Sequence, residues 1–173
     1  DEWLPGGTLY PRLQNALERL GPHGARAILW HQGESDALNS TSSGDYAERL
    51  QQVIAQSRVD AQFDIPWGVA LAAFLPQNSL AQEAQVVAGQ RLVIDGDPLV
   101  FEGPTTEDLL GDQWRYDAIH FNQAGLEEHA SRWATALHNW LVPEPTVSPV
   151  VFLLCGLALR HGRTRKHSTA HNH

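Results

Sequence analysis

The sequence predicts an α/β fold in which a parallel sheet is covered by helices on both faces. Two apolar runs, 25–30 and 67–74, have the composition of strands that are buried on both sides. Segments in which apolar residues recur at helical spacing alternate with these runs, an order typical of parallel sheets. The chain has 173 residues and is 42% hydrophobic, which suits one globular domain with one core.

The helices and strands can be assigned in chain order from periodicity, caps and breakers. The predictions are a helix over 9–20 ended by Gly21-Pro22, a strand over 25–30, polar loops over 31–36 and 39–44, a helix over 45–58 capped by Asp45, a strand over 67–74, a helix over 79–91, and short strands over 92–94 and 99–101. A last helix follows the N-cap residue Asn122. Its predicted inward face comprises Leu126, Ala130, Trp133, Ala134, Leu137 and Leu141.

Charge and cysteine content narrow the classes of function. Residues 1–145 carry all 20 acids against 8 arginines, whereas residues 146–173 carry four basic residues and no acid. An acidic domain repels phosphates, so nucleic acid is not an expected partner. The one cysteine, Cys155, excludes an internal disulfide. The nine histidines show no spacing that predicts a metal site, since those of the predicted domain are scattered and four lie in the polar tail.

Two loops are placed where an α/β protein binds ligands. Ligands of open parallel sheets bind beyond the carboxyl ends of the strands, and the loop 31–36 follows such an end. The second loop contains Asp117 three residues before His120, just before the last helix. A carboxylate close to an imidazole fixes its tautomer and stabilises the imidazolium that forms when the ring accepts a proton. The spacing alone is common, and a turn residue or an ordinary surface histidine is the alternative.

Two sequence blocks resemble a known family. Residues 28–37, ILWHQGESDA, resemble the W-x-Q-G-E-S-D-A block of the sialate O-acetylesterase-like carbohydrate esterases, which belong to the SGNH hydrolase superfamily. Residues 115–125, RYDAIHFNQAG, resemble the closing Asp/His block of that family. The resemblance covers roughly residues 3–141. It implies a flavodoxin-like three-layer sandwich that removes O-acetyl groups from carbohydrates without a cofactor.

The resemblance also implies roles for individual residues. His120 would be the general base and Asp117 the acid that orients it. Gln32 and Gly33 would lie in the oxyanion region, where amide and backbone N–H donors stabilise the charge that develops on the ester oxygen. Glu34 is expected to hold this loop rather than to take part in the chemistry.

One part of the family pattern has no counterpart in these residues. The family's nucleophile is a serine in a G-Q-S-N type motif near the first strand, and the sequence contains no such motif. We therefore expect the first strand and its serine to be missing. Ser35 is the nearest substitute, but in the family this position is not the nucleophile.

The tail resembles a sorting signal. Val142-Pro143-Glu144-Pro145, an apolar run over 150–159 and a basic cluster over 160–166 are similar to the PEP-CTERM signal of Gram-negative bacteria. This resemblance implies two segments, an esterase domain over 1–141 and a tail over 142–173. It further implies an exosortase-type processing enzyme as a partner, transient membrane contact through the tail, and export to the cell envelope or outside the cell.

Two alternatives to the carbohydrate acetylesterase stay open. The chain could be a non-catalytic, surface-displayed relic that binds carbohydrate on the same scaffold. It could also be an esterase of other short acyl esters. The sequence does not decide between core and pocket positions for Tyr116, whereas Trp30, Trp67 and Trp133 are expected in the core because their neighbours are apolar.

Overall fold

The computed structural model describes residues 2–21 and 23–142 and contains eight helices and strands. In chain order these are α1 (Tyr10–Leu20), β1 (Ile28–Trp30), α2 (Glu34–Leu38), α3 (Ser43–Ala61), β2 (Trp67–Leu71), α4 (Leu80–Gly96), β3 (Val100–Thr105) and α5 (Gln123–Leu141). The strands form a parallel sheet in the order β1-β2-β3. The predicted α/β class is thus confirmed, and the predicted tail lies outside the described residues.

The central strand β2 holds the sheet together. All five of its residues are buried, and it pairs in parallel with both neighbours, with Trp67 opposite Ile28 on β1 and Val100 on β3. Because the three strands run in the same direction, the loops that follow them emerge at one edge of the sheet. These are the loops that build the site described below.

Helices cover both faces of the sheet, which gives three layers. On one face, α3 and α4 pack on the strands and bury an apolar core that includes Trp30, Trp67 and Val86. Helix α1 packs on α3, and the Tyr10 hydroxyl donates a 2.7 Å hydrogen bond to Asp60. The flavodoxin-like sandwich expected from the resemblance has this arrangement of layers.

Among the described residues, helix α5 is the element that covers the opposite face. Trp133 is 8% exposed and packs against Phe101 and Ala70, with Trp140 stacked on Phe101. Space for the Trp133 ring comes from Gly68 and Gly103, whose hypothetical Cβ atoms would lie within 2.8 Å of it. Small residues on two strands thus allow one large indole to approach the sheet.

Capping residues define where the long helices begin. The side chains of Ser42, Ser79 and Asn122 accept hydrogen bonds from backbone N–H groups in the first turns of α3, α4 and α5. The prediction for Asn122 is therefore confirmed. The prediction for Asp45 was wrong, because Ser42 is the N-cap and Asp45 lies in the first turn, where its charge favours the helix dipole.

Three other local predictions were wrong. The loop 31–36 was predicted without regular structure, but α2 begins at Glu34. Residues 92–94 were predicted as a strand, but they continue α4, which runs unbroken to Gly96. On α5, Leu126 and Leu141 are each 52% exposed, so the buried stripe is rotated toward Gly125 and Trp133.

No helix within residues 2–142 combines the length and the apolar character that a bilayer crossing requires.

The close approach of Trp133 to the sheet leads to a stability prediction. Gly103→Ala would place a Cβ 2.5 Å from Trp133 Cη2 and 2.9 Å from the Ala70 backbone nitrogen. We expect the free energy of unfolding to fall by about 1–3 kcal/mol, since overpacking forces the indole or the strand to shift. Urea unfolding followed by tryptophan fluorescence measures this change. Gly44→Ala is the matched control, because its Cβ meets no atom within 4 Å and the helix should tolerate or favour it. Equal stability of the two variants would contradict the packing.

Candidate active site

The loop before α5 is closed on itself and presents Asp117 and His120 together. An isolated bridge joins Arg115 to Phe121, and the Tyr116 N–H donates to the His120 carbonyl at 3.1 Å. Within the loop, Asp117 Oδ1 accepts the backbone N–H groups of Ile119 at 3.0 Å and His120 at 2.7 Å. Asp117 Oδ2 lies 2.7 Å from His120 Nδ1. One carboxylate therefore caps the turn and orients the imidazole.

These hydrogen bonds fix the charge of the acid and the tautomer of the ring. They lower the pKa of Asp117 to about 2, the largest cause being the backbone N–H of His120 and the next its side chain. An ionised carboxylate only accepts hydrogen bonds, so His120 Nδ1 carries a proton. Within the described chain His120 Nε2 has no hydrogen-bond partner. In the neutral ring its lone pair is therefore available to take a proton.

Arg115 ties this loop to the rest of the domain. Its side chain is buried, donates through Nε to the Leu109 carbonyl at 2.7 Å and donates through an Nη to the Ile119 carbonyl. The guanidinium lies 4.4 Å from the centre of the Phe121 ring and 5.1 Å from that of Phe74. Burial lowers the pKa of Arg115. The carbonyl of Ile119, directly before His120, is thus held by a buried cation.

The loop after β1 is fixed by the ends of the neighbouring strand and helices. The Gln32 carbonyl accepts hydrogen bonds from the Tyr46 hydroxyl at 2.8 Å and Gln90 Nε2 at 3.1 Å. The Gln90 side chain, fully buried, also bonds to both the N–H and the C=O of Ala72 just after β2. Gly33 lies so close to Ala72 that an added Cβ would be 2.0 Å from the Ala72 carbonyl oxygen. Only glycine fits at this turn.

The polar groups of the Q-G-E segment are engaged within the loop. Gln32 Nε2 donates to Asp36 Oδ2 at 2.5 Å, and the Gly33 N–H donates to Glu34 Oε2 at 3.0 Å. Glu34 therefore binds the turn that precedes it, and the expectation that it takes no part in the chemistry stays a prediction. Asn78 donates to the Glu34 carbonyl at 3.1 Å and ties the same turn to the segment before α4.

The two loops line one open pocket of about 520 Å³ at the carboxyl edge of the sheet. His31, Glu34 and Ser35 form one side, and the opposite side contains His120 and Tyr116. Phe74, Leu75, Arg115, Ile119, Phe121 and Leu126 complete the lining. The side chain of Gln32 lies elsewhere, in a separate cavity of about 50 Å³ with Asp36 and Tyr46.

Some pocket residues were singled out by the sequence and others were missed. Tyr116, left open between core and pocket, is 70% exposed in the pocket wall and stacks on the His120 ring with centroids 5.8 Å apart. His31 and its partner His129 were missed, because no local spacing connects residues 98 positions apart. Gln90 was missed for the same reason. In residues 2–21 and 23–142, no group of three or more His, Cys, Asp or Glu side chains is arranged to hold a metal ion.

The fold and this pocket define a class of protein: a three-layer α/β domain with an oriented carboxylate–imidazole pair at the carboxyl edge of its parallel sheet. A family model for carbohydrate esterases, described as sialic acid-specific acetylesterase, matches residues 1–139. The chain belongs to this carbohydrate esterase family. No curated protein and no solved structure matches the chain.

The electrostatics of the Asp117 loop can be tested by titration. Because the folded pKa of about 2 lies below the ordinary 3.8, the ionised acid stabilises the loop above the ordinary value, and this stabilisation is lost as the pH falls through about 2. We expect the ¹³C shift of the Asp117 carboxyl to titrate with a midpoint near pH 2. In His120→Ala the midpoint should rise part of the way toward 3.8, since the imidazole donor is removed and the backbone N–H donors stay. His138→Ala, on the exposed side of α5, should leave it unchanged. A midpoint near 3.8 in the unaltered protein would show that the loop is not closed in solution.

Proposed function

We propose that this chain carries the general base of a serine-type carbohydrate O-acetylesterase. The observation that supports this proposal best is the Asp117–His120 pair at a pocket of about 520 Å³. Its Nδ1 makes a 2.7 Å hydrogen bond, and its Nε2 has no hydrogen-bond partner among the residues that the structure describes. This is the geometry that a general base needs, because the acid holds the tautomer while Nε2 faces the reacting groups. Membership of a carbohydrate esterase family supplies the reaction class and the carbohydrate substrate.

In the proposed reaction, His120 Nε2 takes the proton of a serine hydroxyl while the serine oxygen attacks the acetyl carbonyl. The same proton then passes to the sugar oxygen as its bond to the acetyl carbon breaks, so that the sugar departs with a free hydroxyl and an acetyl-serine remains. Water attacks this ester with His120 again as base, and acetate and the free serine are released. Asp117 stays ionised and stabilises the imidazolium in both steps. No cofactor is required.

The serine is the component that the described residues do not supply to His120. No serine among them is hydrogen-bonded to His120 Nε2. We propose that the nucleophile comes from a G-Q-S-N type segment outside these 173 residues. Ser35 lines the same pocket and is the internal alternative that the experiment below must exclude.

The oxyanion role proposed for Gln32 and Gly33 carries a structural requirement. Their side-chain amide and backbone N–H donate to Asp36 and Glu34, respectively. To stabilise an oxyanion, either donor must exchange its carboxylate partner for the ester oxygen. Glu34 and Asp36 therefore hold both donors in place before the substrate binds, and the proposed role requires that the ester oxygen displace at least one of these carboxylates.

The base assignment predicts a large loss of rate. We expect His120→Ala to lower kcat for acetate release from O-acetylated sialic acid by on the order of a thousandfold or more, and Asp117→Asn by a similar factor. The measurement uses the full translated reading frame that contains these residues. Ser35→Ala and His138→Ala should stay within about twofold of the unaltered protein. Full activity in His120→Ala would refute the proposed base, and loss of activity in Ser35→Ala alone would move the nucleophile to Ser35.

The same assay separates the second candidate, a surface-displayed relic that binds carbohydrate without cleaving it. The absence of a serine partner for His120 in the described residues favours this alternative. A relic would bind acetylated glycans equally well with and without His120 and would release no acetate. An esterase of other short acyl esters would instead release butyrate from butyryl esters at least as fast as acetate from acetyl esters.

We further propose that residues 142–173 are a PEP-CTERM-like sorting segment and that the protein is exported to the cell envelope of a Gram-negative bacterium. Support comes from the Val142–Pro145 motif, the apolar run and the basic cluster, whose positive charge favours the cytoplasmic side of a membrane. We expect exported protein to lack the residues after the motif when an exosortase is present. Intact-mass measurement on envelope fractions checks this, and an uncleaved tail in such cells would contradict it.

A further inference from the structure

A continuous chain of polar side chains runs beside the His120 pocket from α5 to the turn before α2. Trp133 Nε1 donates to His129 Nε2 at 3.0 Å, one turn of α5 away. His129 Nε2 also lies 3.1 Å from His31 Nδ1, and His31 Nε2 lies 3.1 Å from Glu34 Oε1. The other oxygen of Glu34 accepts the Gly33 N–H at 3.0 Å. Four side chains thus connect α5 to one backbone amide at the carboxyl end of β1.

The hydrogen-bonding chemistry assigns a proton to each link. An indole N–H can only donate, so His129 Nε2 must accept and the neutral ring carries its proton on Nδ1. His31 Nδ1 must then be the donor to His129. An ionised Glu34 only accepts, so His31 Nε2 must also carry a proton. The assignment that accounts for the contacts is a neutral His129, whose single Nε2 lone pair is shared by the Trp133 and His31 donors, a donor N–H at each contact of His31, and an ionised Glu34.

The surroundings favour these charges. The pKa of His129 is lowered to about 4, first by burial, then by the charge of His31 and then by that of Arg132. For Glu34, burial raises the pKa, but the hydrogen bonds from His31 and from the backbone outweigh it, and the net direction is down. Arg115, whose guanidinium lies over Phe121, adds a second cation near Glu34. A neutral His129 and an ionised Glu34 are the forms that the assignment requires.

We infer that His129 is a positioning residue. It accepts a hydrogen bond from His31 Nδ1 and thereby keeps the Glu34 carboxylate hydrogen-bonded to the Gly33 N–H. His129 does not line the pocket, so it acts on the site through His31 and Glu34, which do. Only the consequence for catalysis rests on the proposed function, because the turn that Glu34 holds forms the pocket wall opposite His120. The proton assignment itself concerns the chain without any substrate.

Packing alone is the competing explanation for His129. Its ring contacts those of His31, Phe121 and Trp133, with centroids 4.8, 5.3 and 6.2 Å apart. A phenylalanine would make similar ring contacts but cannot accept a hydrogen bond from His31 or Trp133. A glutamine would pack less well, but its amide oxygen could accept the hydrogen bond from His31 Nδ1. His129→Phe therefore keeps the packing and removes the hydrogen bond, whereas His129→Gln keeps the hydrogen bond and weakens the packing.

The test is imidazole ¹⁵N spectroscopy of the whole chain near neutral pH, combined with hydrogen exchange of the Gly33 amide. In the unaltered protein we expect His129 protonated on Nδ1 alone and His31 Nδ1 carrying a proton that is hydrogen-bonded to His129. His129→Phe should make the Gly33 amide exchange roughly five- to tenfold faster, as the loss of one net hydrogen bond implies, and should remove the hydrogen bond of His31 Nδ1, seen as a change in its ¹⁵N shift. His129→Gln should restore both readouts in large part. His138→Phe, an exposed position on the same helix, is the control and should change neither.

Several outcomes would overturn the inference. A proton on His129 Nε2 in the unaltered protein would do so, as would a His31 Nδ1 that carries no proton. Gly33 exchange in His129→Phe equal to that of the unaltered protein would reduce His129 to a packing residue. If His129→Phe does not fold, the spectra of the unaltered protein and of His129→Gln decide the question. Because no ester is present, this test can fail while the esterase assignment stands, and the reverse also holds.

Discussion

The Asp117 carboxylate is the interaction on which the proposed chemistry depends. It accepts two backbone N–H groups of its own turn and the Nδ1–H of His120. The charge, the shape of the turn and the orientation of the ring therefore have one cause. Since Ala118 within this turn has a φ of 66°, a conformation rarely adopted by side-chain-bearing residues, the carboxylate also offsets some backbone strain. The loop is closed by hydrogen bonds between its own residues, and Arg115 and Phe121 attach it to the domain.

The second constraint is the tight junction at the carboxyl ends of β1 and β2. Gln90 reaches from α4 to bond both backbone groups of Ala72 and the Gln32 carbonyl, and Gly33 leaves no room for a side chain against Ala72. A buried amide that satisfies several backbone groups is costly to replace, because each would be left without a partner. The site is therefore built from one loop that is closed by its own hydrogen bonds and anchored through Arg115, and one loop that is held by its neighbours.

The difference between local and distant causes explains which predictions succeeded. Asn122 was identified as an N-cap because capping depends on a few consecutive residues. The inward face of α5 was predicted in part: Trp133 and Leu137 pack inward but Leu126 and Leu141 do not, because helical periodicity marks apolar positions but not which of them meet the sheet. Gly68 and Gly103 allow Trp133 to approach the sheet, whereas Leu126, near the start of α5, lines the open pocket and is 52% exposed. Residues 92–94 have a strand-like composition, yet the helix that began at the Ser79 capping box continues through them.

By itself, the sequence determined the α/β class, the order of most elements, the burial of Trp30, Trp67 and Trp133, and the family, because these follow from local periodicity and from two short motifs. It also predicted that an acid and an imidazole three residues apart can meet. Only the tertiary structure decided that His31 lies against His129 and that Gln90 supports Gln32, since these contacts join residues 98 and 58 positions apart. Which side chains share a pocket is set by the packing of strand ends and helices, and no spacing in the chain records it.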